Sequence, residues 1–400
     1  IVPDPSRPSW LHRRNGSPFF MAGASDPEDF LFRGELNPDG TRNGDQMELI
    51  SKIGGTGANS IYLMAVRSHG GDGEETHNPC IDFDPSKGIN QVVLNQWDRW
   101  FNLLDRSGVV IYFILFDDGA RFAGRRAPIS DEERTFIGAL VERFQHHRNL
   151  IWCVAEEYEE GFTPEQVREV TREIRSADKF GHPIAVHQLT GTDFSEFSDE
   201  PTIDQFAMQM GKVGEEPLDA KELHRQVVEA WKAAQGRFNL NMSELAGHYQ
   251  PGDRKNARLR SWAAAMGGAY VMVLGMDIEN TEAAALADLG NLARFFEATE
   301  FSWLQPRDEL ALADTEYLLA APGESYIAYS SQQKGQMGVE GLSEGPFRLS
   351  WFDCVSGELT TGQVEMGSKN QVWDVPSHLG SEVALCITRL EDNSSGGRNR

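Results

Sequence analysis

No stretch of this 400-residue sequence approaches the ~20 consecutive apolar residues that a membrane-spanning helix needs, so a soluble protein without a membrane partner is expected. Cysteine is scarce. The four present, Cys80, Cys153, Cys354 and Cys386, are too few and too scattered for a disulfide scaffold or a zinc motif. Cys354 and Cys386 form the one pair close enough in sequence to consider as a bridge, against the usual free buried thiol. Basic residues are also in deficit, 37 Lys and Arg against 61 Asp and Glu, a formal charge of −24. Such a surface repels nucleic acid and anionic membranes and favours solubility, while remaining compatible with a neutral partner such as a sugar. No Gly-x-Gly-x-x-Gly follows an early strand, which argues against a dinucleotide domain. No His-x-His marks the first strand, as metal-dependent barrel hydrolases require. The segment HGGDGEETH offers His69, Asp72 and His77 as cation ligands but reads better as a flexible glycine-rich loop, and His146–His147 reads as a helix-end pair. Neither a metal nor a cofactor is expected.

What is present is an alternation. Between about residues 15 and 300, short apolar runs alternate with amphipathic segments: PFFMAG (18–23), SIYLMAV (60–66), VVIYFILF (109–116), LIWCVA (150–155), PIAVHQ (183–188), QFAMQM (205–210), FNLNMS (238–243) and AYVMVLG (269–275). Most are continuous rather than alternating, as in parallel strands buried on both faces. The helices carry their own signals. Ser130 with Glu133 makes a capping box, Thr163–Pro164 makes an N-cap with proline in the first turn, and Leu223, Val227 and Trp231 make a buried stripe. Eight strands alternating with helices over about 280 residues predict a (β/α)8 TIM barrel, an α/β fold, over residues 1–305. After Phe301 the pattern changes to short strands split by Gly, Ser and Pro, which predicts a small antiparallel β-sandwich over 306–390. The tail NSSGGRNR predicts disorder over 391–400.

In such a barrel the chemistry sits on the loops after the strands. The polar residues just after each apolar run are Asp26, then Arg67 and His69, Asp117 and Asp118, Glu156 and Glu157, His187 and Gln188, Gln209, Glu244, and finally Asp277 and Glu279. The set is rich in carboxylates and poor in nucleophile or metal motifs. Paired carboxylates suit cleavage of a glycosidic bond, where one acid protonates the leaving oxygen and a second carboxylate attacks the anomeric carbon or activates water. The fourth and seventh strands face each other across the rim, and each is followed by or ends in glutamate.

The stretches FFMAGAS, GANSIYLM, NLIWCVAEEY, LNMSELAGHY, RLRSWAAAMGGAYVMVLG, SYIAYSS and WFDCVSGEL, in this order and spacing, resemble the retaining glycoside hydrolases of clan A. The chain is most similar to their apiosidase-like subgroup, whose barrel is followed by a small β-sandwich named for collagen binding. The resemblance implies Glu157 as acid/base and Glu244 as nucleophile. It also places Glu156 where that group carries asparagine, a donor toward the sugar's 2-hydroxyl. An ionised glutamate can only accept there, so Glu156 either accepts from the sugar, stays protonated, or points elsewhere.

The expectation is therefore a retaining glycosidase acting on a plant, algal or microbial glycan, with the two carboxyl groups about 5–5.5 Å apart and the acid's pKa raised. Asp26, Arg67, His69, Asp117, Asp118, Tyr158, His187, Gln209, His248 and Tyr249 are the candidate sugar-binding residues beside Glu156. The alternatives are a non-catalytic carbohydrate-binding barrel and a metal-assisted lyase or hydrolase. A secreted or periplasmic location is expected ahead of a cytoplasmic one. The sugar and the oligomeric state are left open.

Overall fold

The computed structural model describes residues 1–4, 6–189, 191–211 and 217–390, so the predicted disordered tail lies outside the described residues. Eight parallel strands close into a barrel in chain order: β1 (Ala22–Ala24), β2 (Ser60–Met64), β3 (Val110–Phe116), β4 (Leu150–Ala155), β5 (Ile184–Gln188), β6 (Gln205–Met210), β7 (Asn239–Leu245) and β8 (Tyr270–Val273). The ring closes where β8 pairs with β1 through Val271–Ala22 and Val273–Ala24. Nearly every strand residue is buried, which is why the strands read as unbroken apolar runs rather than alternating ones. β1 is shorter than its apolar run predicts and sits close against β2. A Cβ on Gly23 would meet the Ser60 carbonyl oxygen at 2.0 Å, so only glycine lets the first two strands come together.

Among the described residues seven helices cover the barrel: α1 (Gln46–Thr56), α2 (Gln91–Arg106), α3 (Asp131–Phe144), α4 (Pro164–Ala177), α5 (Ala220–Ala234), α6 (Arg254–Met266) and α7 (Ala283–Glu297). The Ser130–Glu133 capping box opens α3, and Thr163 with Gln166 makes a second one at α4. The β5–β6 connection carries only a single 3-10 turn, Ser195–Phe197, among its described residues, where the ideal barrel has a helix. Phe194 and Phe197 pack on Phe206 of β6 and cover the strand where a helix would lie. Among the described residues no helix is long and apolar enough to cross a membrane.

The strands after α7 are β9 (Gln305–Pro306), β10 (Ala311–Ala313), β11 (Tyr317–Ala321), β12 (Ser325–Ser330), β13 (Gln336–Glu340), β14 (Gly345–Asp353), β15 (Leu359–Gly367), β16 (Asn370–Asp374) and β17 (Val383–Arg389). They form a six-stranded sheet in the order β9-β11-β12-β17-β14-β15 and a three-stranded sheet in the order β10-β13-β16. Period-two alternation divides the larger sheet's side chains between two cores. Leu318, Ala328, Trp351 and Leu385 face the smaller sheet, whereas Tyr317, Tyr329, Phe352 and Cys386 join the barrel's core. Tyr329 stacks on Trp262 of α6 at 5.1 Å, and Phe352 packs on Phe295 of α7 at 5.0 Å. Buried Arg258 of α6 makes two 2.7 Å bonds to Glu382, just before β17, and one to Asp288 of α7. All four cysteines are free and buried, so Cys354 and Cys386 do not pair.

Candidate active site

The functional side chains gather at the C-terminal mouth of the barrel because two local irregularities redirect them. At the end of β4, Glu156 continues the ladder, its N–H donating to the Phe116 carbonyl at 2.9 Å. Strict alternation would then send Glu157 to the opposite face. Instead Glu157 adopts a left-handed conformation, φ 39° and ψ 56°, a sparsely populated region for a glutamate. Its N–H donates to Nδ1 of His187 on β5 at 3.0 Å, which holds the turn in place.

The second irregularity is a bulge between β6 and β7. Met208 pairs with Met242, but the next residue, Gln209, pairs with Glu244, leaving Ser243 as the extra residue. The bulge is fastened on both sides, since Ser243 Oγ donates to the Met208 carbonyl and Ser25 Oγ donates to the Ser243 carbonyl. Without it Gln209 would lie opposite Ser243.

These two devices bring three side chains together. The Gln209 amide nitrogen donates to Glu157 Oε1 at 2.7 Å and to Glu244 Oε2 at 2.7 Å. The two carboxylate oxygens it joins therefore lie no more than about 5.4 Å apart, twice the hydrogen-bond length. His187 Nε2 lies 3.7 Å from the other Glu244 oxygen. Because His187 Nδ1 accepts the Glu157 N–H, the ring, which burial holds below its usual pKa, carries its proton on Nε2, facing Glu244. That N–H has no hydrogen-bond partner.

Around the pair the site is crowded with acids. Glu157 is raised to about 7, first by burial and further by the charge of Glu244, against the opposing effect of the Gln209 hydrogen bond. Glu156 is 7 % exposed, and burial beside Glu244 and Glu28 pushes its carboxyl far above the usual range. It hydrogen-bonds the carboxyl groups of both Asp117 and Glu244, contacts that require a shared proton. Asp26 is raised to about 6 by burial and by Asp277, and Asp118 to about 7 by burial and by Asp117. The cation of this wall is Arg67, which is buried and contacts Glu28 at 3.1 Å, Asp29 at 3.1 Å and Asp117 at 3.3 Å.

Of the residues picked from the sequence, Asp26, Arg67, Asp117, Asp118, Glu156, Glu157, His187, Gln209 and Glu244 thus fall in one region. Four do not. Tyr158 turns away, its hydroxyl donating to Glu196 at 2.9 Å and its ring packing on Phe197. His248 is fully buried against Ser261 of α6, with burial and Arg260 lowering its pKa to about 3. Tyr249 is buried, its hydroxyl accepting the Glu282 N–H. Tyr158 follows Glu157 directly, and His248 and Tyr249 lie four and five residues after Glu244, but the hydrogen bonds of all three lead away from the carboxylate pair. His69 is exposed, bonded to Ser68 and edge-on to Phe122. The other ligands of the glycine-rich loop also separate: His77 stacks on Phe32, and the Asp72 N–H donates to Asp117.

Glu28 was not among the residues expected from the sequence. It is raised to about 8 by burial and interacts with Arg67, Asp26, Asp117 and Glu244. Its signal was its place in the loop after β1, two residues beyond Asp26. The Gly-x-Ser-x-Gly run at Gly341–Gly345 is no nucleophile elbow, since it joins two sandwich strands and Ser343 Oγ donates to the Gly323 carbonyl rather than to a histidine. Carboxylates of Asp118, Glu157 and Glu160 approach within 4.8 Å of one another, with Glu160 also paired to Arg125 at 3.0 Å.

No protein-family model matches the sequence, and no curated protein does. Among solved structures, a glycoside hydrolase superposes with a TM-score of 0.71 at 15% identity, over 99% of this chain and 97% of its own. A glycoside hydrolase family 5 protein from Bacteroides vulgatus gives 0.70 at 15% identity, over 99% and 94%. A family 5 mannosidase from Rhizomucor miehei covers 74% of this chain and 99% of its own, with a TM-score of 0.56 at 13% identity. At these identities the likeness is one of fold: the chain is built as a TIM barrel carrying a β-sandwich, and along nearly its whole length it superposes on glycoside hydrolases.

Proposed function

We propose that the protein is a retaining glycoside hydrolase in which Glu244 is the nucleophile and Glu157 the acid/base. The observation that carries the reading is the single Gln209 amide bonded to both carboxyl groups. It keeps the two oxygens it joins within about 5.4 Å, which favours the spacing of a retaining pair, about 5–5.5 Å, over that of an inverting pair, about 6.5–9.5 Å. The glycoside hydrolases among the solved structures that share this fold point the same way.

The geometry accounts for each step. A Glu244 oxygen attacks the anomeric carbon as the bond to the leaving oxygen breaks, and Glu157 gives its proton to that oxygen. Glu157 then takes a proton from water, whose oxygen displaces Glu244 from the glycosyl-enzyme. A carboxyl raised to about 7 is protonated near neutrality, as the first step needs. The Gln209 N–H bonds the Glu244 carboxylate and aims it, while the His187 Nε2–H stands 3.7 Å from its other oxygen.

Hydrolysis of a broad panel of aryl glycosides and polysaccharides by the wild type, Glu157→Gln and Glu244→Gln tests the reading. The expected result is cleavage of at least one substrate, with both variants losing most of the activity. Wild-type rates in both variants would remove the two glutamates from the mechanism.

A further inference from the structure

At the end of the barrel opposite the catalytic mouth, two adjacent histidines and an aspartate converge. His146 and His147 follow α3, and on sequence alone they read as a helix-end pair; the fold brings Asp98 of α2 to them. His147 Nε2 lies 3.1 Å and His146 Nε2 lies 3.4 Å from the same oxygen, Asp98 Oδ1. The ligand atoms of the three groups all lie within 4.8 Å of one another. The histidines stand just ahead of β4, at the other end of that strand from Glu156 and Glu157, so the mechanism above does not use them.

The hydrogen bonds around the trio fix which atoms face inward. His146 Nδ1 lies 3.0 Å from the Arg143 carbonyl oxygen, which can only accept, so Nδ1 carries a proton. In the neutral ring Nε2 then presents a lone pair, and it faces a carboxylate oxygen that also has only lone pairs to offer. A positive centre, a proton or a metal ion, has to lie between them. A carbonyl that takes one ring N–H and leaves the other nitrogen pointing inward is how metal-binding histidines are oriented. His147 is buried, and burial together with His146 lowers its pKa to about 4, so near neutrality it has the uncharged ring that a metal ligand needs. The other charges facing the trio are Arg143, 3.2 Å from Asp98 Oδ2, and the Asp105 carboxylate. The carbonyl end of the α3 dipole adds negative character at the same place.

The spacing matches one ion well. Tetrahedral zinc, with bonds of about 2.0–2.2 Å, holds its ligand atoms about 3.3–3.5 Å apart. The contacts of 3.1 and 3.4 Å to Asp98 Oδ1 are within a few tenths of an ångström of that edge, so only small side-chain adjustments are needed. We propose that Asp98, His146 and His147 form a binding site for a divalent ion of the zinc type, with water completing the tetrahedron. Two imidazoles select such an ion over calcium or magnesium, which take oxygen ligands. His146 is half-exposed and gives the ion its way in. The ion ties α2 to the segment leading into β4, where Asp105 of α2 already accepts the Arg148 and Asn149 N–H groups. Its effect is on the stability of the barrel and not on glycoside cleavage.

The test is titration of the full chain, first stripped with a chelator, with zinc in a calorimeter and with cobalt(II) in a spectrophotometer, wild type beside His146→Gln. Because His146 is half-exposed, this variant keeps the fold. The expected result is one zinc ion per chain with a Kd tighter than about 10 µM, the intense visible bands of tetrahedral cobalt(II), and a higher Tm with zinc than without. His146→Gln should weaken binding by about tenfold or more and lose both the bands and the rise in Tm. Asp98→Asn should do the same, but since Asp98 also holds Arg143, the His146 variant decides the question if Asp98→Asn does not fold. Binding weaker than about 10 µM would overturn the site and leave a protonated His146 as the positive centre facing Asp98. Tight binding that His146→Gln leaves unchanged would also overturn it, by putting the ion elsewhere. Neither of these results bears on the glycosidase reading.

Discussion

Replacing Gln209 with leucine keeps the side chain's bulk and removes both N–H donors, so it separates the hydrogen bonding of the pair from its packing. Each donor bonds a carboxyl oxygen at 2.7 Å, and a hydrogen bond to a charged group contributes about 1.5–3 kcal/mol. Two carboxylates about 5 Å apart repel by about 3 kcal/mol at an effective dielectric constant near 20, and the amide offsets that repulsion. Glu157 feels the loss with a definite sign. Its hydrogen bond from Gln209 favours the ionised form, so removing it makes the proton harder to lose. The basic limb of the pH–rate profile, near 7 in the wild type, should move up by about one pH unit, the equivalent of about 1.4 kcal/mol. At the optimum kcat should drop about 10- to 100-fold, because Glu244 loses the donor that aims it. The assay is kcat and kcat/KM from pH 4 to 9 on whichever substrate the panel identifies. A variant whose basic limb stays put or moves down, with kcat within about twofold of wild type, would refute the role given to Gln209.

The acidic mouth also predicts how stability depends on pH. Asp26, Glu157, Asp118 and Glu28 titrate in the folded protein at about 6, 7, 7 and 8, above the values of an unfolded chain, so the fold binds more protons than the unfolded state between about pH 4 and 8. Their contribution is full below that window and lost across it, and Tm should fall by several degrees from pH 5 to pH 8.5 in calorimetry; a Tm that rises over this span would contradict the cluster. At the sandwich, Arg258→Ala leaves Glu382 a buried acid without its cation, while Asp288 keeps Arg254, and should cost about 3–5 kcal/mol in denaturant unfolding. A loss under 1 kcal/mol would mean that this pairing does not bind the two parts together.

The barrel was legible because its strands are buried on both faces. Apolar runs such as 150–155 and 205–210 coincide with the strands they predict, and helix caps at Ser130 and Thr163 sit where their side chains place them. β1 was overread, since PFFMAG is apolar over its whole length but only Ala22–Ala24 pairs. The site was legible as a set of loop positions, not as a set of directions. Nothing in AEEY announces that Glu157 turns left-handed and so reaches the mouth beside Glu156, and nothing in NMSEL announces the bulge that moves Gln209 opposite Glu244. The same lack of directional information makes Tyr158, His248 and Tyr249 look like sugar-binding candidates, whereas their hydrogen bonds run to Glu196, Ser261 and Glu282. Glu28 is hidden from a reading of strand ends because it lies two residues beyond Asp26 in the loop after β1, yet it is half-buried against Arg67.

The separation set by Gln209 makes its most direct claim about stereochemistry. Proton NMR of the first product formed from a cleaved glycoside, recorded before mutarotation, reads the anomeric configuration. The account predicts that it is the same as the substrate's, because Glu244 and then water each displace from one face. Inversion would mean that Glu157 and Glu244 do not work as acid/base and nucleophile across the gap that one glutamine spans.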